Sequence, residues 1–178
     1  MKKLFTIVPL VLVLCFTFGC QDKAAMAELE EFKAQAEVEE QNKALILKWF
    51  EEAEQGNTEI WDEACSPNYI ARMPSNGEPM TQEEHFQAWE EFKKAFPDIK
   101  ETITDVIAKN DKVVVQVLIK GTHTGEYMGM QPSGNSFEYS GLEVFRISEG
   151  RVEECLMEVD LLGLMMQLGM ELKPKEEK

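Results

Sequence analysis

Residues 102–122 read TITDVIAKNDKVVVQVLIKGT, and this stretch decides the fold of the chain. Both halves are rich in β-branched residues, and Asn110-Asp111 separates them with a turn signal. Residues 137–159, FEYSGLEVFRISEGRVEECLMEV, repeat the pattern around Glu149-Gly150. We therefore predict two antiparallel strand pairs, 102–109 with 113–122 and 137–148 with 151–159.

Helices are predicted on both sides of these strands, because the apolar residues there recur every three or four positions. The predicted helices cover residues 44–53, 57–65, 81–96 and 161–168. The third opens with a capping box from Thr81 to Glu84, and Pro97 ends it. Residues 66–80 read as a loop with a short extended piece at Tyr69 and Ile70. Three helices followed by antiparallel strands predict an α+β fold in which a curved antiparallel sheet encloses a pocket.

The charge of the chain excludes one class of partner. Its 178 residues include 33 acidic side chains and 18 lysines and arginines, for a net charge of −15. Nucleic-acid binders need Lys and Arg to replace the counterions of phosphate, so a nucleic-acid partner is excluded. The length suits one domain with a single core.

The first twenty residues are typical of a bacterial lipoprotein signal. Two lysines precede an apolar run of 15 residues, Leu4–Phe18, and Gly19-Cys20 ends it. That run rises about 22 Å as a helix, which is short of the roughly 30 Å hydrocarbon core. We expect diacylation of Cys20, and an ordinary secretory peptide or a buried helix are the alternatives.

This interpretation predicts four segments and a location. They are a lipoprotein signal peptide at 1–19, a charged helical tether at 20–43, the folded domain at 44–170 and a charged tail at 171–178. Removing residues 1–19 would leave 16 basic and 33 acidic side chains, a net charge of −17. Such a surface is repelled by anionic lipid, so the lipid on Cys20 would supply membrane attachment in the cell envelope, outside the cytoplasm.

Two cysteines, Cys65 and Cys155, remain after that assignment. No Cys/His spacing fits a zinc site, and we predict no metal centre. Strand alternation puts Cys155 opposite Asp160, whereas Cys65 belongs to a helix on the pocket side. We therefore predict two free, separately buried thiols.

Several short motifs occur in order along the chain. They are Gly121-Thr122-His123-Thr124-Gly125-Glu126, Gly129-Met130-Gln131-Pro132-Ser133-Gly134, Phe145-Arg146, Gly150-Arg151-Val152, Asp160 and Gln167-Leu168-Gly169. Upstream stand Trp49-Phe50, Gly56-Asn57 and Ala95-Phe96-Pro97-Asp98. Together they resemble the SnoaL-like polyketide cyclase family over about residues 44–170.

This resemblance implies a nuclear transport factor 2-like α+β cone, commonly a homodimer, that needs no cofactor. Well-known members close a polyketide ester by an intramolecular aldol reaction. By position, Asp160 matches the family's catalytic acid and His123 the histidine of its Gly-Thr-His motif. A carboxyl group in an apolar pocket acquires a raised pKa suited to proton transfer, and an imidazole can stabilise the enolate oxygen.

The chain departs from the family pattern at three positions. Cys155 and Leu156 replace the His-Trp that often precedes the acid, and Arg72 stands where a histidine is frequent. These changes alter the pocket. A second histidine, His85, is interpreted as a surface or hydrogen-bonded residue of the third helix.

Strand alternation also suggests pocket residues. Without a bulge, Glu154, Leu156, Glu158 and Asp160 share one face, whereas a bulge or a solvated rim would leave Asp160 alone in the pocket. Tyr127 and Met130 are placed at the pocket mouth, although methionines more often fill core gaps. Trp49 is placed in the pocket, and its commoner role is core packing.

Two functions of different classes follow. The first is a cofactor-free cyclase or isomerase acting on a small apolar carbonyl compound, with Asp160 as acid/base and His123 assisting. The second is a non-catalytic envelope lipoprotein that binds a small ligand or mediates assembly. The motifs favour the enzyme, and the predicted location favours the binding protein.

Overall fold

The structure is a computed structural model that describes residues 7–74 and 77–173, with the backbone alone for residues 7–22. It contains two units, Met1–Val38 and Glu39–Lys178. The predicted lipid acceptor, the Cys20 side chain, and the last five residues of the predicted tail lie outside this description. In the first unit, residues 23–38 are helical and almost all exposed. Across the described residues, no helix is both long and apolar enough to span a membrane.

All four predicted helices are present, but the first, predicted at 44–53, begins much earlier, and the second is shorter than predicted. They are α1 (Ile7–Glu54), α2 (Ile60–Ala64), α3 (Gln82–Ala95) and α4 (Leu161–Gln167). Gly56, at φ 82°, ends α1 in a Schellman motif, since Asn57 N donates to Glu52 O at 2.9 Å. The predicted capping box opens α3, where Thr81 Oγ1 accepts from Glu84 N and Glu84 Oε2 accepts from Thr81 N.

Five strands form one mixed, curved sheet in the order β1-β5-β4-β3-β2. Their bounds are β1 (Cys65–Arg72), β2 (Lys100–Lys109), β3 (Lys112–Thr122), β4 (Ser136–Ser148) and β5 (Arg151–Val159). The prediction of an α+β fold with helices against a curved sheet is confirmed. The prediction of a wholly antiparallel sheet is wrong, because β1 pairs with β5 in parallel. Pro67 led us to predict a loop there, but proline is tolerated in an edge strand beside a bulge.

A bulge in β5 determines which of its residues face the helices. Arg146 pairs with Glu154 and Ile147 with Val152, so the chain holds one extra residue, Glu153, at this point. An extra residue reverses the alternation of the strand beyond it. Cys155 and Met157 are therefore buried, and our bulge-free placement of Glu154, Leu156 and Glu158 on the pocket face is wrong.

The same bulge corrects our argument about the two cysteines. Cys65 and Cys155 are free and buried, as predicted. However, Cys155 lies on the inner face of the sheet and not on the outer one. Burial raises the pKa of the Cys65 thiol to about 12 and that of Cys155 well above its ordinary value. Both thiols therefore stay protonated at neutral pH.

Candidate active site

The helices and the inner face of the sheet enclose a cavity of about 820 Å³ in the second unit. Its wall is largely apolar and includes eight aromatic side chains, Trp49, Phe50, Trp61, Trp89, Phe92, Tyr127, Tyr139 and Phe145. Cavities of this size and character are typical of sites for small organic ligands. We therefore take this cavity as the candidate site and consider its polar groups next.

Two glutamates line the cavity from different strands. Glu143 lies in β4 on the inward-facing positions that otherwise carry Phe137, Tyr139, Gly141 and Phe145. Glu101 lies near the start of β2, where it pairs with Ile119, and Ile119 in turn pairs with Tyr139. Glu101 and Tyr139 therefore belong to one cross-strand row, and Glu143 follows two inward positions further along β4.

Burial dominates the ionisation of these two carboxyl groups. It raises the pKa of Glu143 to about 7, while a contact from the Cys155 Sγ at 3.9 Å opposes the shift. The pKa of Glu101 is raised well above 4.5, first by burial and then by the charges of Glu143 and Glu54. Because each carboxylate disfavours ionisation of the other, the pair titrates together. Near neutral pH it can both accept and donate a proton.

Tyr139 adds a hydrogen-bond donor beside the two glutamates. Burial raises its pKa, and the charges of Tyr127, Glu101 and Glu143 act in the same direction. The phenol therefore stays protonated at neutral pH. Between Tyr139 and Glu143, Gly141 carries no side chain, and a Cβ there would lie 2.9 Å from Val159 Cγ1. The structure thus favours glycine at this position, because Val159, Val117 and the Glu158 backbone fill the space beside it.

His85 lines the cavity. The prediction that it lies on the surface is therefore wrong. Its Nδ1 is 2.8 Å from the hydroxyl of Tyr69, so the alternative prediction of a hydrogen-bonded residue is confirmed. Burial lowers the pKa of His85 to about 4, which keeps the imidazole neutral. Tyr69 is also close to Cys155, which contacts Glu143. A row of buried polar groups thus connects His85 with the Glu143 carboxyl group.

The predicted pocket residues fall into separate places. Trp49 and Tyr127 line the cavity. Met130 packs against the core and is bridged to Tyr127, but it does not line the cavity. The other three predicted pocket residues are Glu154, Leu156 and Glu158. They lie on the outer face, because the bulge in β5 reverses the alternation of its side chains.

Asp160 is placed at the end of the sheet and not on the cavity wall. The residue is exposed, and its Oδ1 accepts a hydrogen bond from Gly163 N at 2.7 Å. This is the N-cap bond of α4. The carboxylate therefore has a structural partner, and its catalytic role stays a prediction.

His123 is completely buried but does not line the cavity. Its Nδ1 accepts from Ser133 N at 3.2 Å, while its backbone bonds to Asn135 O and Gly134 N, each at 2.9 Å. Within the described part of the chain its Nε2 has no partner. These bonds hold the loop 124–135 against the end of β3, and a catalytic role for His123 also stays a prediction.

Other residues of the family motifs perform similar structural work. Thr122 donates to Asp98 from its backbone N and from its hydroxyl, both at 2.7 Å. Gln167 bonds to both backbone groups of Glu138, which fastens α4 to the start of β4. A Cβ at Gly125 would lie 2.5 Å from the carbonyl oxygen of Lys94. The motifs therefore hold loops and helix ends together around the cavity.

Arg72, one of the departures from the family pattern, lies on the outer face. Its Nε donates to Glu154 Oε1 at 2.9 Å, and Arg146 Nε lies 3.4 Å from the other oxygen of Glu154. Arg146 also pairs with Glu153. The pKa of Glu154 is lowered mainly by the hydrogen bond from Arg72. This ion-pair cluster occupies the face opposite the cavity.

Our sequence reasoning missed Glu101 and Glu143, although a signal was present. In β4 every second residue from Phe137 to Ile147 is apolar or glycine except Glu143. A charged residue at an inward position of a buried strand is uncommon, and it indicates a functional site. Glu101 precedes Ile103 with the same spacing in β2. Neither glutamate belongs to a motif that carried the family resemblance.

No group of three or more His, Cys, Asp or Glu residues that could hold a metal ion occurs in residues 7–74 and 77–173. Burial shifts the pKa values of four polar groups on the cavity wall, the Glu101 and Glu143 carboxyl groups, the Tyr139 phenol and the His85 imidazole.

This chain matches solved structures over nearly the whole length of those structures. A candidate SnoaL-like polyketide cyclase from Jannaschia sp. CCS1 has a TM-score of 0.70 and 25% identity, covering 76% of this chain and 96% of that one. The candidate polyketide cyclase IdmH from Streptomyces antibioticus has a TM-score of 0.66 and 27% identity, covering 72% and 99%. TsrD from Streptomyces laurentii has a TM-score of 0.63 and 26% identity, covering 72% and 95%.

The search among curated proteins gives no match. The model of the family described as SnoaL-like polyketide cyclase, by contrast, matches residues 44–168. This match spans more than half of the 178 residues, so the chain belongs to the SnoaL-like polyketide cyclase family.

Proposed function

We propose that this protein is a cofactor-free cyclase or isomerase that transfers a proton next to a carbonyl group inside the cavity. Glu143 is the acid/base in this proposal, and Glu101 tunes it. The observation that carries the proposal is the carboxyl pair, in which burial raises the pKa of Glu143 to about 7 in a largely apolar cavity. A base with a pKa close to the working pH is the most effective for proton transfer.

The proposed reaction returns the enzyme to its starting state. The Glu143 carboxylate removes a proton from the carbon beside a carbonyl group, and the electron pair of that C–H bond forms an enolate. The Tyr139 phenol donates a hydrogen bond to the enolate oxygen. The enolate carbon then forms a bond to a second carbonyl carbon, and the resulting alkoxide takes the proton back from Glu143. In an isomerase the proton returns to a different carbon instead.

Family membership supports this reaction class but does not determine which residue is the acid/base. The assignment of Asp160 as acid/base and His123 as its assistant is the alternative within the same proposal. Glu143 is favoured because it lines the cavity, whereas the Asp160 carboxylate caps α4 and His123 binds Ser133. The two assignments predict different sensitive variants.

Proton exchange provides the test without knowledge of the natural substrate. The full chain is incubated in D₂O with 2-tetralone, an enolisable aromatic ketone, and deuterium uptake beside the carbonyl is followed by NMR. We expect the wild type to accelerate exchange, and Glu143→Gln to reduce the acceleration by about 10²–10⁴-fold, the usual contribution of a general base. Asp160→Asn should retain the exchange.

Glu154→Gln is the matched control, because it makes the same chemical change on the outer face of the same sheet. It should exchange deuterium like the wild type. Full exchange by Glu143→Gln, with loss in Asp160→Asn, would transfer the acid/base role to Asp160. Absence of any acceleration by the folded wild type with 2-tetralone and with an aromatic β-keto ester would contradict the enzymatic proposal. The non-catalytic binding protein would then be the better interpretation.

A lipid anchor is a separate proposal, which rests on the sequence around Cys20 alone. We propose that Cys20 is diacylated and holds the domain at the bacterial cell envelope. Intact mass spectrometry of protein from the bacterial membrane fraction should show a chain that begins at Cys20 with the added mass of the lipid. Cys20→Ser should release the protein from the membrane fraction. A water-soluble wild type without added mass would contradict the anchor.

We also propose that the protein forms a homodimer, because members of the family are commonly homodimers. Light scattering of the chromatographed protein should give twice the 20.3 kDa mass of the chain, less any removed signal peptide. A monomer mass at micromolar concentration would contradict it.

A further inference from the structure

The cavity wall carries more acidic than basic side chains. Six glutamates line the cavity, namely Glu51, Glu54, Glu91, Glu101, Glu126 and Glu143. Against them stand two lysines, Lys93 and Lys100, and Lys93 already pairs with Glu90 outside the lining. Four of the glutamates, Glu51, Glu54, Glu91 and Glu126, are exposed, and solvent screens their charge. Glu101 and Glu143 lie deeper, where low-polarity surroundings screen the field poorly and concentrate counter-ions of the opposite sign. The cavity therefore favours positively charged ligands over negatively charged ones.

Among the described residues, the two most buried of these glutamates have little compensation. Glu101 has no hydrogen bond or ion pair to any residue in the described ranges, and Glu143 has one weak contact, from the Cys155 thiol at 3.9 Å. Both are largely buried, and both line the cavity. Buried carboxyl groups without partners are costly, so a ligand that brings a positive charge would recover that cost.

The aromatic wall provides the second element of cation recognition. Aromatic faces attract ammonium groups within about 6 Å of the ring centre. One such contact is present, since the Nζ of Lys93 lies 6.0 Å from the centre of the Trp89 ring, which lines the cavity. Tyr139 stands near Glu101 and Glu143, where a ligand would meet an aromatic ring and acidic groups together.

The shape of the site distinguishes an organic cation from a metal ion. The described residues contain no group of three or more ligating side chains close enough to hold a metal. A volume of about 820 Å³ with an aromatic wall also exceeds what a bare ion fills. An apolar body is needed to occupy the wall, and a positive group is needed to meet the carboxyl pair.

We propose that the cavity binds organic cations, with an aromatic or polycyclic body against the tryptophans and a protonated amine beside Glu101 and Glu143. The binding preference is independent of catalysis. Its extension to the substrate, a carbonyl compound that also carries a basic nitrogen, rests on the proposed function.

Three indole probes of similar size but different charge test this preference. They are tryptamine, which is a cation, 3-propylindole, which is neutral, and indole-3-propionate, which is an anion. Calorimetric titration of the purified full chain at pH 7 measures each affinity. We expect tryptamine to bind about tenfold more tightly than 3-propylindole, or better, from one carboxylate pairing and one aromatic contact. Indole-3-propionate should bind most weakly.

Paired variants assign the preference to the two glutamates. The double variant E101Q/E143Q should lose the difference between tryptamine and 3-propylindole and keep the affinity for 3-propylindole. Glu154→Gln, which changes a glutamate on the outer face, should keep the full preference. Circular dichroism and thermal unfolding check that each variant is folded. The comparison of three probes on the wild type stands even if the double variant does not fold.

Several outcomes would overturn the proposal. They are equal or tighter binding of 3-propylindole or indole-3-propionate, no tryptamine binding at millimolar concentration, and a preference that survives in the folded double variant. Deuterium exchange separates this failure from that of the proposed function. Exchange lost in Glu143→Gln without a charge preference would refute the ligand class alone, whereas a charge preference without exchange would refute proton transfer alone.

Discussion

Two pairs of glutamates lie on opposite faces of the same sheet, and their surroundings give them opposite properties. On the outer face, Glu153 and Glu154 pair with Arg146, and Glu154 also receives a hydrogen bond from Arg72. The pKa of Glu154 is lowered by those partners. On the inner face, burial raises the pKa values of Glu101 and Glu143, and the charge of Glu143 adds to the shift of Glu101.

The comparison separates structural from functional carboxyl groups. A paired carboxylate on a solvated face stays ionised and contributes a little stability. An unpaired carboxyl group in an apolar cavity costs stability when it ionises, and it gains a pKa suited to acid/base chemistry. The outer pair is therefore expected to support the fold, and the inner pair to support function at the expense of stability.

The largest effect is expected from Glu143→Gln, which should stabilise the protein at alkaline pH. The folded pKa of about 7 exceeds the ordinary 4.5, so stability falls as pH rises from about 4.5 through about 7 and stays reduced above. The difference of these values corresponds to about 3 kcal/mol. Glutamine avoids this cost. Urea unfolding at pH 8 should therefore show a free energy of unfolding higher by up to about 3 kcal/mol, and no gain at pH 4.

The pH dependence of that gain is the decisive part of the measurement. An equal gain at pH 4 and pH 8 would mean that better packing of the amide, and not the avoided ionisation, stabilises the variant. A loss of stability at pH 8 would contradict the raised pKa, and with it the contrast between the two faces.

A smaller effect is expected when the inner face is disturbed without a change of charge. In Gly141→Ala the new Cβ would lie 2.9 Å from Val159 Cγ1 and 3.2 Å from Glu158 O, between Tyr139 and Glu143. Overpacking of this kind costs about 1–3 kcal/mol. We expect a lower melting temperature together with slower deuterium exchange. Ser140→Ala, at the neighbouring outward position, should change stability by less than about 0.5 kcal/mol, and equal losses in both variants would contradict the assignment of the faces.

Much of this fold could be predicted because periodicity is a local property of the sequence. The change from helical to strand spacing after Pro97 gave the four long strands, and the Thr81 capping box gave the start of α3. The strand β1 was missed because Pro67 suggests a loop, and its pairing with β5 depends on residues more than eighty positions away. Parallel pairing of an edge strand leaves no turn signal between the partners.

The site was harder to predict than the fold. Which face of β5 meets the cavity depends on the extra residue at Glu153, and a bulge has no reliable signal in a single sequence. The family motifs directed attention to Asp160 and His123, which make structural hydrogen bonds. Glu143 stood in the sequence as a charged residue at an inward position of β4, and alternation in that bulge-free part of the strand could have identified it.

The smallest effect should come from Glu154→Gln, with the opposite sign to Glu143→Gln. The lowered pKa of Glu154 means that its ion pairs stabilise the protein above the ordinary value of 4.5, and that this contribution disappears as pH falls through the folded pKa. The side chains of Arg72 and Glu154 are 45% and 33% exposed, so solvent and salt screen the pair. We expect a loss of about 0.2–1 kcal/mol in the free energy of unfolding at pH 7, and none at pH 2. Added salt should shrink the loss at pH 7, whereas a gain in stability there would remove the distinction between the outer and inner glutamates.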